Sequence, residues 1–168
     1  KNLVNWEMAK SHAVKAPERV RELERWGAVF DRTIEGKISQ RNFGGHRYPR
    51  LAHVSDRTRL EIIRTLQDHN VHTENIDIFM ECTVCDILKS NDRTVGALAY
   101  YRSSGKLVVF KAGSIVLATG GCGKAYRVTS NSWEYTGDGH ALAYLAGADL
   151  IDMEFVPFHP TGLVWHPV

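Results

Sequence analysis

The chain has 168 residues, with 21 Lys plus Arg against 19 Asp plus Glu and a formal net charge of +2. That length suits one domain with the edge of another and can bury a sizeable core; 43% hydrophobic with 24% charged is ordinary globular composition. So small an excess of charge gives no reason to invoke nucleic acid or an anionic membrane surface, and no uncharged stretch reaches the ~20 apolar residues of a membrane-spanning helix.

Residues 2–26 are predicted helical, with Pro17 opening a second helical segment because its missing N–H is spare in a first turn. Gly27 follows, able to end that helix in the left-handed conformation. Residues 32–45 carry Gly36, Gly44 and Gly45 and read as a loop, or a loop with a short hairpin. Asp56 is placed to cap a second helix, in which Leu60, Ile63 and Leu66 recur at three-residue spacing. Strand patterns then crowd together at 76–84, 94–101 and 107–111, the last after a turn at Ser103-Ser104-Gly105. Residues 114–118 form a short apolar run expected to be a strand buried on both faces. Residues 137–148 return to a helix pattern, with Ala141, Leu142, Leu145 and Ala146 on one side.

This order is that of an α/β nucleotide-binding sheet. It lacks a G-x-G-x-x-G turn followed by an acidic residue, so a pyrophosphate cradle is expected to lie outside the chain. The chain opens on Lys1 without a signal or transit pattern and stops just after a dense cluster of uncommon residues. It reads as a piece of a longer protein. Cys82 and Cys85 spell C-x-x-C, but residues three apart on a strand face opposite ways, so packing is the expected role and no metal site is assigned. Three thiols without a secretory leader suggest a reducing, cytoplasmic-side compartment.

Four segments could carry chemistry, each with a plainer structural reading. Thr119-Gly120-Gly121 ends the apolar run, where glycines let a flat cofactor or its phosphates approach the backbone; otherwise it is a tight turn. Asp138 in Thr136-Gly137-Asp138-Gly139 either holds a cofactor hydroxyl or simply caps the helix. Phe158-His159-Pro160-Thr161-Gly162 could grip a carboxylate through His159, with Thr161 adding a hydroxyl, or be a structural turn. Gln40-Arg41-Asn42-Phe43-Gly44-Gly45 sets an aromatic among polar residues and glycines, as a structured loop also would.

In this order and spacing, and together with Asp56-Arg57-Thr58 and Asp152-Met153-Glu154-Phe155, these motifs resemble the flavoprotein subunit of succinate dehydrogenase and fumarate reductase. The resemblance runs from about residue 5 to the end. It implies an α/β fold: a partial Rossmann-like FAD-binding domain with a β-rich segment over 1–153, and the start of a capping domain with the substrate loop over 154–168. It implies FAD as cofactor, with Thr119, Gly120 and Gly121 lining the flavin, Asp138 as an acidic contact and Val84 as a backbone contact to the adenine end. His159 and Thr161 would bind a dicarboxylate, and Phe43 would press on it.

The implied activity interconverts succinate and fumarate, passing electrons through an iron–sulfur subunit, with membrane anchor subunits, to quinone. The place implied is the cytoplasmic face of the membrane. A related flavoprotein such as L-aspartate oxidase, or a non-catalytic domain that keeps the fold, is the alternative. Arg59 and Pro157 depart from the family pattern. His46 does not match the flavin-linking position, and no catalytic residue is assigned within the chain, so turnover by the chain alone is not expected.

Overall fold

Asn5 begins the first helix by accepting a hydrogen bond from the Met8 N–H at its side-chain oxygen (3.1 Å), and α1 then runs over Trp6–Arg25. In this computed structural model, residues 3–156 are described, and they group into two compact units, Lys1–Ile78 and Phe79–Val168. The residues His159, Thr161 and Pro157, singled out in the sequence, lie outside the described residues.

Pro17 does not open a second segment; it sits inside α1. Its ring removes a single donor and crowds one carbonyl a turn earlier, and a helix of 20 residues runs through that loss. Gly27 ends the helix as expected, with φ +99°. Its N–H bonds to the Glu24 carbonyl and the Ala28 N–H to the Leu23 carbonyl, both at 2.9 Å, which satisfies two of the last free carbonyls. Ala28 and Phe30, just beyond, are buried.

The expected loop holds a bridge between Arg32 and Ile38, and beyond it two-residue strands β1 (Gln40–Arg41) and β2 (Leu51–Ala52) pair antiparallel across residues 42–50. Helix α2 spans Thr58–Val71. Asp56 is not its cap: that position belongs to Arg57, which makes no side-chain capping bond, and the Asp56 side chain is 88% exposed. The entry is fixed instead by Thr58 Oγ1, which accepts from the Val54 N–H (3.0 Å), and by the Asp31 carboxylate, which accepts from the Ser55 N–H (2.7 Å).

Leu60 and Ile63 face outward. Three-residue spacing drifts around a helix of 3.6 residues per turn, so the inner stripe falls on Thr58, Glu61, Thr65 and His69. His69 stacks on Trp26 with ring centroids 4.0 Å apart. Glu61 accepts from the Val29 N–H (2.9 Å) and from Arg64 (2.8 Å), whose guanidinium also donates to the Gly27 carbonyl. These bonds tie α2 to the segment that ends α1.

The second unit is built on an antiparallel sheet in the order β3-β4-β5, with β3 at Cys82–Ser90, β4 at Arg93–Tyr101 and β5 at Leu107–Lys111. The last two strands and their turn fall where the pattern predicts them. Residues 76–81 are not strand. Glu81, with φ +55°, turns the chain into β3, which runs on to Ser90. Asn91 and Asp92 then close a two-residue hairpin, both at positive φ.

The β3–β4 register slips between Val84 and Asp86, so Cys85 is the extra residue of a bulge. Cys85 is therefore exposed rather than packed, its Sγ reaching the Leu98 carbonyl at 3.5 Å; Cys82 is half-buried. Ala97 and Ala99 are buried in the sheet, and Phe79 meets Phe110 edge-on at 4.8 Å.

Helix α3 covers Asp138–Leu145, shorter at both ends than the predicted 137–148. Of its expected inner face only Leu142 is buried; Leu145 is exposed. Lys89 at the end of β3 donates to the Ala146 carbonyl (2.8 Å), which ties the sheet to the C-terminus of α3. Residues 114–118 form no strand, and Val116 is 90% exposed. Their apolar pattern encodes burial, but a strand also needs a neighbouring backbone to pair with, and none among the described residues does.

Candidate functional site

Three contacts draw residues 119–122 onto 135–139 in the second unit. Gly120 has φ +75°, and the edge of the Tyr135 ring stands where a side chain on Gly120 would go: a Cβ there would lie 2.5 Å from Tyr135 Cε1. The Thr119 side chain occupies the space beside Gly139 that a Cβ would need. Cys122 closes on Gly137, whose φ of +87° opens the helix (Cβ to Cβ position 3.0 Å). Each glycine is thus required by a close approach within the protein.

Gly121 differs. Among the described residues nothing lies within 4 Å of the Cβ it lacks, and the residue is exposed.

Asp138 is the first residue of α3 and not its cap, a position filled by Gly137 without a side chain to offer. Its carboxylate is exposed at the positive end of the helix and makes no side-chain hydrogen bond among the described residues. The His140 and Ala141 N–H groups bond to the Gly137 carbonyl (3.0 and 3.1 Å), while those of Asp138 and Gly139 have no intrahelical acceptor. His140 Nδ1 is buried without a partner among the described residues. Exposed backbone at an open glycine, helix-start N–H groups without an intrahelical acceptor and a carboxylate unpaired among the described residues together suit a ligand that carries a flat face, phosphates and hydroxyls.

Of the residues singled out in the sequence, Thr119, Gly120, Gly121 and Asp138 meet here. Val84 does not join them. It lies on β3 opposite Ala99, 38% exposed beside the bulge. Phe43 belongs to the first unit, 64% exposed, with its ring edge-on to His46 at 6.2 Å. Its carbonyl accepts from the His46 N–H (2.9 Å) across a turn whose third residue, Gly45, has φ +83°. Tyr135 joins the site without a motif of its own to announce it; its place directly before Thr-Gly-Asp-Gly is the one signal for it in the sequence.

The family of such a site is matched over residues 3–167: the chain belongs to the FAD binding domain family, and FAD is its cofactor. Among relatives, it is 40% identical over 156 residues to the succinate dehydrogenase flavoprotein subunit of Rickettsia bellii, covering 88% of this chain and 26% of that protein. It is 37% identical over 148 residues to the fumarate reductase flavoprotein subunit of Haemophilus influenzae, covering 88% and 25%. A solved structure, Mycobacterium smegmatis Sdh1 in complex with UQ1, superposes with TM-score 0.89 at 56% identity, covering 96% of this chain and 29% of that one. The chain therefore spans between a quarter and three-tenths of the length of these relatives. Among the described residues no helix is long and apolar enough to cross a membrane.

The residues present fit FAD. Open backbone at Gly121, the Asp138 N–H, without an intrahelical acceptor, and the exposed Asp138 carboxylate supply a donor and an acceptor that such a cofactor needs.

Proposed function

We propose that this chain is the cofactor-bearing part of an FAD-dependent oxidoreductase that interconverts succinate and fumarate. The observation that supports this best is the seating of Thr119-Gly120-Gly121 on the start of α3, which leaves Gly121 and Asp138 exposed. When bound, FAD supplies a hydride acceptor and donor. The chain's own residues bind and orient: Thr119, Gly120 and Gly121 line the flavin, Asp138 accepts from a cofactor hydroxyl, and Val84 contacts the adenine end through its backbone.

Phe43 presses on the dicarboxylate, while His159 and Thr161 hold one of its carboxylates by charge-assisted hydrogen bonds. A capping domain begins near Glu154, after FAD-binding residues 1–153. The proton-transfer group lies outside this chain. Electrons leave through an iron–sulfur subunit, with anchor subunits, toward quinone at the cytoplasmic face of the membrane; the UQ1 in the Mycobacterium smegmatis complex supports that acceptor.

The test uses the flavoprotein expressed from its complete reading frame. Under anaerobic conditions succinate should bleach the flavin absorbance, and fumarate should restore it. A flavin that ignores succinate but is bleached by L-aspartate would overturn the dicarboxylate assignment in favour of an amino-acid oxidase.

A further inference from the structure

We propose that Tyr135 is the positioning residue of the cofactor-facing turn, holding Gly121 open to the flavin; this rests on the reading of residues 119–121 as lining FAD. Gly120, Gly121 and Gly123 fall within four positions, and a loop so rich in glycine loses much conformational freedom when it is ordered. Some part of the protein must fix it before the cofactor arrives, or binding bears that cost.

Tyr135 grips the loop on both sides of Gly121. On one side its ring edge, Cε1 and Cδ1, stands 2.5 and 2.7 Å from where a Gly120 Cβ would be. On the other, its carbonyl accepts from the Lys124 N–H at 2.8 Å, and its own N–H is held by the Ser132 carbonyl at 3.2 Å. The contacts of Thr119 with Gly139 and of Cys122 with Gly137 secure the flanks. Gly121, between these anchors, has open space where its Cβ would be. A planar ring edge fits against the left-handed Gly120 backbone, which a tetrahedral side chain of similar volume cannot do as closely.

The complete flavoprotein is produced without flavin as wild type, Y135F, Y135A, Y135L and G121A, and each is titrated with FAD while flavin fluorescence and visible absorption are followed. Y135F keeps the ring and should bind within a few-fold of wild type. Y135A should raise the FAD Kd roughly ten-fold, or about 1.4 kcal/mol, and shift the bound-flavin spectrum. Wild-type Kd and spectrum in Y135A would overturn the proposal, as would Y135F binding as weakly as Y135A.

If the Y135A apoprotein does not fold, Y135L decides. Weakened binding with an altered spectrum supports positioning, whereas wild-type binding, or an apoprotein that is also unfolded, overturns it. G121A separates the positioning role from the flavin-lining role, because its Cβ meets no atom of the described residues. Unchanged FAD binding in G121A would refute the flavin-lining reading itself, whereas weak binding in G121A beside normal binding in Y135A refutes only the role of Tyr135.

Discussion

Asp138 stands one residue inside α3, and that offset separates its two possible roles. As a first-turn acid it contributes only ~0.3–1 kcal/mol through the helix dipole. As the acceptor for a cofactor hydroxyl, its loss weakens FAD by the worth of a charged hydrogen bond, ~1.5–3 kcal/mol, or roughly ten- to a hundred-fold in Kd. In the complete flavoprotein, Asp138→Ala should therefore lower the flavin-to-protein ratio while the apoprotein melting temperature moves little. A lower melting temperature at full flavin occupancy would return Asp138 to a purely structural role. At this scale the sequence is informative about residue type and silent about contact. Thr119, Gly120, Gly121 and Asp138 are legible as motif members, but that Gly120 yields to a ring and Gly139 to a threonine is a tertiary fact. No spacing rule carries the position of Tyr135.

Among the elements, the Glu61 carboxylate is one of the contacts that join the end of α1 to α2. Arg64's hydrogen bond, with the Val29 N–H next, holds the Glu61 carboxyl below its ordinary value of 4.5, and the same pairing raises Arg64. A group whose folded value is lowered stabilises the protein above its unfolded value, and that contribution disappears as pH falls through the folded value. Melting curves of wild type and Glu61→Gln from about pH 7 to about pH 3 should thus show a gap that narrows on the acid side. A gap independent of pH would mean that the Glu61 charge contributes nothing to the join.

Elements with period-two alternation and a glycine turn, β4 and β5, are legible to within a residue. The start of β3 departs from the pattern because residues 76–80, apolar apart from Asp77, pair with no strand among the described residues, and its end because the Asn91-Asp92 hairpin lets the strand run past Val84 to Ser90. Residues 114–118 differ for a related reason: an apolar run becomes a strand only where a neighbouring backbone pairs with it, and none among the described residues does. The drift of the α2 face and the run of α1 through Pro17 show packing and helix length overriding local signals.

For the whole molecule, the motifs carry the family from sequence because they occur together in one order and spacing; no one of them carries it alone. The described residues hold the cofactor-facing half of that reading in the second unit, where 119–122 and 135–139 meet. Phe43 is placed on an ordered turn in the first unit, while His159 and Thr161 lie outside the described residues. The most direct measurement of the flavin site is amide hydrogen exchange of the complete flavoprotein with and without FAD. Bound cofactor should slow exchange at residues 119–121 and at Asp138 and Gly139, whose N–H groups lack an intrahelical acceptor. Unchanged exchange across both segments, with FAD-dependent protection confined to other parts of the protein, would contradict the assignment of this site to the flavin.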